Sequence, residues 1–233
     1  MEMNLPEYTI ERRYRRKSVS IIVRPDSCVH VIVPQGMKKS AIDQIVSAKQ
    51  NWILRKLDEL ETGDFHRIEY LYREGEQFLY LGRYLTLTLA DGRGGVLIDN
   101  DFLKVTVPPG LKGEERYHYV RNQLFAFYPA QALLLFRKKV AEIGNPCGLN
   151  PEYVGVKNYK SRWGSCFGDG RIYFNWKLVL APEHIIEYVV AHELCHLKIP
   201  NHSKRFWQLV EKLVPDWKAR RKWLRINGYA LGI

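Results

Sequence analysis

The sequence predicts an α+β protein with a strand-rich first part and a mainly helical second part. Short apolar or alternating segments, separated by turns that contain glycine and proline, fill most of the chain up to residue 110. A long apolar helix follows, then a second group of short strands, and finally three helical segments. Segregated strands and helices are typical of the α+β class, and the hairpin turns predict antiparallel pairing.

The first part, residues 1–110, is predicted to hold seven strands and one helix. The strands are predicted at Tyr8–Arg16, Val19–Pro25, Val29–Pro34, Phe78–Leu81, Tyr84–Leu89, Val96–Ile98 and Leu103–Val107. The helix is predicted from Ser40 to about Leu60, because apolar residues recur on one side of it. Pro108-Pro109-Gly110 is the predicted boundary between the two parts.

The second part, residues 111–233, opens with a helix predicted from Glu114 to Ile143. Three strands are then predicted at Tyr153–Asn158, Arg162–Cys166 and Arg171–Trp176, with a hairpin turn at Gly168-Asp169-Gly170. Three helices follow: one from Pro182 towards Pro200, one that starts at Asn201 or Ser203, and one from Pro215 to about Ile226.

The segment His192-Glu193-Leu194-Cys195-His196 carries the most specific chemistry. Residues four apart on a helix lie on the same face, so His192 and His196 can offer two imidazole nitrogens to one ion. Glu193 stands where a carboxylate can reach a metal-bound water without becoming a ligand. The two histidines could instead be packed core residues, but Glu193 and the residues that follow favour a metal site.

A third metal ligand is expected from the next helix. His202 lies six residues beyond His196, and a tight turn around Pro200 could return it to the ion. Glu211 is the alternative ligand, although a glutamate deep in an amphipathic helix is more often a solvated surface residue. We favour His202.

The four cysteines are Cys28, Cys147, Cys166 and Cys195, and they show no metal-binding spacing. Cys166 and Cys195 lie near the motif in sequence, but both are interpreted as small buried residues rather than nucleophiles. Disulfides are not expected in a protein that is not exported.

Four runs of residues stand out together: Arg162-Trp163-Gly164-Ser165-Cys166, Ile172 to Leu178, Glu187 to Leu197, and Asn201-His202-Ser203 with Phe206-Trp207. Together they resemble the YgjP-like metallopeptidases, which are related to the SprT-like zinc proteases of the zincin group. The resemblance implies a zincin-like core of a helix, a small sheet, the motif helix and C-terminal helices. It also implies a Zn²⁺ ion held by His192, His196 and His202, with Glu193 as the catalytic base in the hydrolysis of peptide or protein substrates.

The expected mechanism follows from the charge of the ion. Zinc held by three neutral imidazoles lowers the pKa of its bound water to about 7. Glu193 is expected to take a proton from that water and deliver it to the leaving nitrogen. The strand at Arg171–Trp176 is expected to lie along the cleft and to pair with an extended substrate. The donor that stabilises the oxyanion stays open among four candidates: Arg162, Tyr159, Asn175 and Tyr188.

Charge suggests a second functional class. The net charge is +11, and the basic residues form two clusters. These are Arg12, Arg13, Arg15, Arg16 and Lys17 near the start, and Lys218, Arg220, Arg221, Lys222 and Arg225 near the end, with Tyr14, Trp217 and Trp223 interleaved. The alternative is therefore a nucleic-acid-associated protein with a zinc site, including a protease that acts on DNA-bound proteins. A zincin that binds peptides without cutting them is a third alternative, and the presence of Glu193 argues against it.

Composition is that of an ordinary globular protein, with 46% hydrophobic and 26% charged residues. Residues 1–7 have no apolar core, so we expect no secretory signal. The apolar stretch from Leu124 to Phe136 contains Pro129 and Gln131 and is too short to cross a bilayer. A cytoplasmic protein without a membrane partner is expected; nothing in the sequence indicates its oligomeric state.

Overall fold

The computed structural model describes residues 7–23, 29–61 and 70–233 of the 233-residue chain. The chain forms two compact units, Met1–Arg67 (unit 1) and Ile68–Ile233 (unit 2). The predicted turn at Pro25-Asp26-Ser27, and Cys28 beside it, lie outside the described residues.

Unit 1 contains a three-stranded sheet and two helices. The strands are β1 (Tyr8–Arg13), β2 (Ser20–Val23) and β3 (Val29–Pro34), and β3 lies between the other two. β3 runs parallel to β1 and antiparallel to β2. Val29, Val31 and Val33 of β3 are at most 2% exposed, as expected for the covered face of a strand, and Ile32 on the other face is 8% exposed. The core of this unit consists of Val29, Val31, Val33, Ile42, Val46 and Ile53.

The single helix predicted over Ser40–Leu60 is two helices, α1 (Lys39–Ala48) and α2 (Gln50–Glu61). The break falls at Lys49, whose N–H donates to the carbonyls of Ser47 and Val46 instead of continuing the α-helical pattern. The apolar periodicity continues through the break, with Ile42, Val46 and Ile53 all buried, so the pattern alone did not reveal it.

Unit 2 begins with a four-stranded sheet. Its strands are β4 (Gln77–Tyr80), β5 (Arg83–Asp91), β6 (Gly95–Asp99) and β7 (Phe102–Val107), in the order β4-β5-β7-β6. The sequence predicted these strands but assigned them to the first part, with the boundary at residue 110. The structure divides the chain between Arg67 and Ile68 instead. Two facts explain the difference: the buried face of this sheet joins the main core of unit 2, and the β4–β5 turn binds the chain just before the motif helix. In that turn, the N–H groups of Leu81 and Gly82 donate to the carbonyls of Val179 and Leu180, at 2.9 and 3.1 Å.

The long helix α3 (Gly113–Gly144) runs through the core of unit 2. Its buried positions recur every four residues from Val120 through Leu124, Tyr128 and Ala132 to Phe136. Pro129 lies inside the helix and neighbours the buried Tyr128. α3 packs against the motif helix, so it forms one wall behind the candidate site.

A second, three-stranded sheet follows α3. Its strands are β8 (Tyr153–Lys157), β9 (Gly164–Cys166) and β10 (Arg171–Asn175), with β10 in the middle. β9 and β10 form the predicted antiparallel hairpin, but β8 pairs with β10 in parallel. The expectation of antiparallel pairing was therefore incomplete, since β1–β3 and β5–β7 are parallel as well. In each parallel pair, the two strands are neighbours in the sheet but are separated along the chain by a third strand of the same sheet. Hairpin turns do not reveal such pairs.

Three helices complete unit 2: α4 (Glu183–His196), α5 (Lys204–Leu213) and α6 (Trp217–Asn227). Small sheets and C-terminal helices confirm the mixed α+β class. In the described part of the chain, no helix is both long and apolar enough to cross a membrane.

Candidate metal centre

The motif lies on α4, which is buried along most of its length. Ile185, Ile186, Val189, Val190 and Leu194 are at most 4% exposed, so the helix is fixed by packing on several sides. Charge also fixes its first turns. Lys139 of α3 lies 2.5 Å from Glu183 and 3.0 Å from Glu187, measured from Nζ to a carboxylate oxygen.

The chain turns back after α4 and brings His202 to the motif histidines. The turn is closed by the N–H groups of Lys198 and Ile199, which both donate to the carbonyl of Cys195. As a result, His192, His196 and His202 each place a ring nitrogen within 4.8 Å of the other two. The Nε2 atoms of His192 and His202 are 3.0 Å apart. We call these three residues the histidine cluster.

Contacts around the cluster orient its rings. Nδ1 of His196 donates to the Ile199 carbonyl at 3.0 Å, which leaves its Nε2 lone pair free. Phe206 stacks on His196 with ring centroids 4.4 Å apart, and Trp207 stacks on His202 at 5.6 Å. Nδ1 of His192 is buried and has no hydrogen-bond partner among the described residues.

Two residues of the cluster, His192 and His202, favour the neutral imidazole form. Burial lowers the pKa of His192 to about 3, and the neighbouring His196 and His202 act in the same direction. Burial also lowers the pKa of His202. Both rings are therefore neutral at neutral pH, which is the form that coordinates a divalent ion.

Glu193 is on the same helix but faces the β9 strand. It is only 6% exposed, and this burial raises its pKa to about 7. The charge of Arg162 and a hydrogen bond from the Cys166 backbone N–H oppose that rise. Gly164 of β9 also lies against this carboxylate. The side chain is thus enclosed between α4 and β9.

The structure separates the remaining candidates from the cluster. Glu211 is exposed and lines a surface depression with Gln208 and Lys212, and it is not among the grouped ligand atoms of the described residues. Cys195 is buried and Cys166 half-buried, and burial raises the pKa of their thiols to about 12 and about 11. Neither thiol is therefore ionised at neutral pH, which fits small packed residues better than nucleophiles.

The four candidate oxyanion donors have different surroundings. Arg162 lies over the ring of Tyr159, 5.6 Å from its centroid. Nδ2 of Asn175 donates to the carbonyls of Tyr159 and Arg162, so this side chain is occupied in holding the loop before β9. The Tyr159 hydroxyl shares a hydrogen bond with Ser165 at 2.6 Å. Tyr188 packs beside His192 with ring centroids 6.0 Å apart, and burial raises its pKa to about 12. Its phenol therefore keeps its proton and stays a potential donor.

The expectation that Arg171–Trp176 pairs with the substrate is corrected by the sheet order. β10, which covers most of that segment, has β8 on one side and β9 on the other, so both of its edges are occupied. β8 and β9 are the two outer strands, and β9 is the one that contacts Glu193. A strand-like partner can add only to an edge strand, which β10 is not.

One residue near the cluster was not identified as a site residue from sequence. Arg221 of α6 lies over the ring of Trp207, 5.0 Å from its centroid, and its charge lowers the pKa of both His192 and His202. It appeared in the sequence only as one member of a basic cluster. No local pattern marks it, because α6 reaches the site through tertiary packing.

Comparison with known proteins places this geometry in a family. A family model described as "YgjP-like, metallopeptidase domain" matches residues 17–227. No curated protein sequence matches the chain. Among solved structures, the chain is similar to the metallopeptidase zymogen of Pyrococcus abyssi abylysin, with 24% identity over 40% of this chain and 93% of that chain, at a TM-score of 0.36. Because the family model covers nearly the whole chain, this protein belongs to the YgjP-like metallopeptidases.

Proposed function

We propose that this protein is a zinc-dependent peptidase in which His192, His196 and His202 hold the ion and Glu193 is the catalytic base. One observation supports this most directly: three ring nitrogens lie within 4.8 Å of one another, and the helix that carries His192 and His196 also carries the buried Glu193. The fold of the core is proposed to be zincin-like, with α4 as its metal-binding helix.

The residues present fit a catalytic zinc ion. Three imidazoles match the nitrogen ligands that zinc accepts, and Nδ1 of His196 is already hydrogen-bonded in the way that orients such a ligand. Within the described ranges the cluster has three members, so a tetrahedral ion there keeps one position for water. When bound, the ion supplies Lewis-acid chemistry, since it acidifies water and polarises a carbonyl.

Glu193 supplies the proton transfer in this proposal. Its raised pKa, caused mainly by burial, suits a group that accepts a proton from water and then releases it to the leaving nitrogen. The substrate peptide is proposed to lie along β9, an outer strand of its sheet whose first residue, Gly164, lies against Glu193. Tyr188, Tyr159 and Arg162 remain the candidates for stabilising the oxyanion, because only Asn175 is occupied by backbone carbonyls.

The test uses hydrolysis of an unfolded protein substrate by the wild type and by Glu193→Gln, together with the zinc content of each. We expect the variant to keep its zinc and to lose at least about 100-fold in kcat, since general acid–base catalysis contributes on that scale. Full activity of Glu193→Gln would exclude the base assignment. Activity that survives complete removal of metal would exclude the metal assignment.

A second proposal concerns the basic surface. In unit 1 the arginines are largely engaged: Arg12 donates to backbone carbonyls, and Arg13 pairs with Glu11. On α6, Arg220 is half-buried and pairs with Glu187 and Asp216. The other four cations of this helix are exposed, and no acid among the described residues lies within ion-pair distance of them. These exposed cations are Lys218, Arg221, Lys222 and Arg225.

We propose that this α6 surface associates with nucleic acid, which would bring the peptidase to DNA-bound proteins. Retention on DNA should fall steeply as salt rises, and charge reversal at Lys218 and Lys222 should weaken it. Reversal at Lys138, an exposed cation of α3, is the control. The absence of retention at low salt would refute this proposal and leave the peptidase assignment intact.

A further inference from the structure

Gly164 lies at the closest approach of β9 to α4. It is the first residue of β9 and pairs with Phe174 of β10. A Cβ atom placed on Gly164 would lie 2.6 Å from both Cγ and Oε1 of Glu193 and 2.8 Å from its Cδ. Real Cβ contacts essentially never fall under 3.0 Å, so any larger residue here requires something to move.

The backbone of Gly164 does not itself require glycine. Its φ lies outside the positive range that only glycine adopts readily, and glycine weakens a strand interior because it has no side chain to pack. The three atoms nearest to the missing side chain all belong to Glu193. The need for glycine therefore comes from the carboxylate and not from the strand.

The same strand approaches the carboxylate at a second point. The backbone N–H of Cys166, two residues further along β9, interacts with the Glu193 carboxylate and lowers its pKa. The Glu193 side chain is almost fully enclosed, with 6% of its surface exposed. Gly164 and the Cys166 N–H therefore both border the carboxylate.

We infer that Gly164 is a positioning residue that sets the location of the Glu193 carboxylate beside the histidine cluster. This inference rests on the proposed function of Glu193 as the base. A methyl group at position 164 meets the far end of a flexible side chain, while the β9 backbone is held by its pairing with β10. The carboxylate is therefore the part that moves.

The first experiment compares Gly164→Ala with the wild type and with Gly168→Ala, a nearby control with nothing within 4 Å of its added Cβ. We expect Gly164→Ala to retain zinc and KM while kcat falls roughly 100-fold, because a displacement of about 1 Å in a reacting group has effects of this size. Gly168→Ala should match the wild type. An unchanged kcat in Gly164→Ala would overturn the inference.

A double-mutant cycle separates positioning from a structural role. Glu193→Asp shortens the side chain by one methylene, so the added methyl of Gly164→Ala should lower kcat far less in that background. The melting temperature supplies a readout without activity: any loss caused by Gly164→Ala should vanish in a Glu193→Ala background, where no carboxylate remains to collide. Gly164→Ala could instead lower kcat equally in the wild type and in Glu193→Asp, or lower the melting temperature equally in the wild type and in Glu193→Ala. Either result would show that Gly164 contributes only to the strand and does not position Glu193. If the wild type proves inactive as a peptidase, the proposed function fails, and the melting-temperature cycle still reports whether the contact exists.

Discussion

Lys139 is expected to hold the start of the metal-binding helix in place. Its side chain is only 10% exposed, and its Nζ lies within 3.3 Å of three carboxylates, those of Glu142, Glu183 and Glu187. Glu183 and Glu187 belong to the first turns of α4, whereas Lys139 and Glu142 belong to α3. Replacement by Met keeps most of the aliphatic stem and removes the charge, so Lys139→Met isolates the electrostatic contribution.

The size of the effect follows from the exposure of the partners. Removal of one member of a fully buried ion pair costs about 3–5 kcal/mol. The three acids are 33–51% exposed, so solvent screens the charge that remains, and we expect a loss of about 2 kcal/mol. For a domain of this size, that corresponds to a decrease of roughly 4–8 °C in melting temperature.

Urea unfolding followed by tryptophan fluorescence suits the measurement, because five of the six tryptophans lie in unit 2. Lys138→Met is the matched control. Lys138 is 72% exposed and makes one contact at 3.7 Å with Glu142, so its loss should cost less than about 0.5 kcal/mol. If Lys139→Met and Lys138→Met lower the free energy of unfolding equally, the proposal that Lys139 stabilises the packing of α4 against α3 is wrong.

Three further predictions concern acid stability and metal affinity. The hydrogen bond from Lys139, together with its charge, lowers the pKa of Glu183. The stability that this contact contributes is therefore complete above the unfolded pKa of about 4.3 and is lost as pH falls through the lower folded pKa. The melting temperature should therefore fall below about pH 4, and less so in Lys139→Met. His202→Ala should lose bound zinc, with an affinity lower by more than about 100-fold, whereas Glu211→Ala should keep its metal. Phe206→Ala should cost about 3–5 kcal/mol and also weaken metal binding, because this fully buried ring packs on the whole histidine cluster.

Each of these predictions has a defined contrary result. If the melting temperature depends on pH identically in the wild type and in Lys139→Met, the contact between Lys139 and Glu183 does not contribute to acid stability. Metal loss in Glu211→Ala, with retention in His202→Ala, would make Glu211 the third ligand. Phe136→Ala is the control for Phe206→Ala, since Phe136 is equally buried but packs on Phe174. If both variants weaken metal binding alike, the effect is general destabilisation.

Several features were predictable because they depend on residues close together in the chain. His192 and His196 share a face of α4 through the geometry of one helical turn. The return of His202 depends on a short turn around Pro200, and the structure does bring the three ring nitrogens together. The strands were predicted within a few residues, since alternation along a strand is local as well.

Other features depend on contacts between distant segments, which periodicity does not encode. The order β8-β10-β9 leaves β9 at the edge, so the strand expected to pair with substrate was the wrong one. The first four strands of unit 2 were assigned to the other part of the chain, because no local signal shows that their apolar face joins the core of α3 and α4. Arg221 reaches the surroundings of the cluster only because α6 packs there.

Sequence alone determined the chemistry available to this protein: imidazoles one helical turn apart, with a carboxylate next to the first of them. Tertiary structure alone decided how that carboxylate is placed, since Gly164 and the Cys166 N–H reach Glu193 from a strand almost thirty residues earlier in the chain. The physical reason is the range of the interactions. Helical spacing is set by backbone geometry over a few residues, whereas the enclosure that raises the pKa of Glu193 exists only once separate strands and helices have packed together.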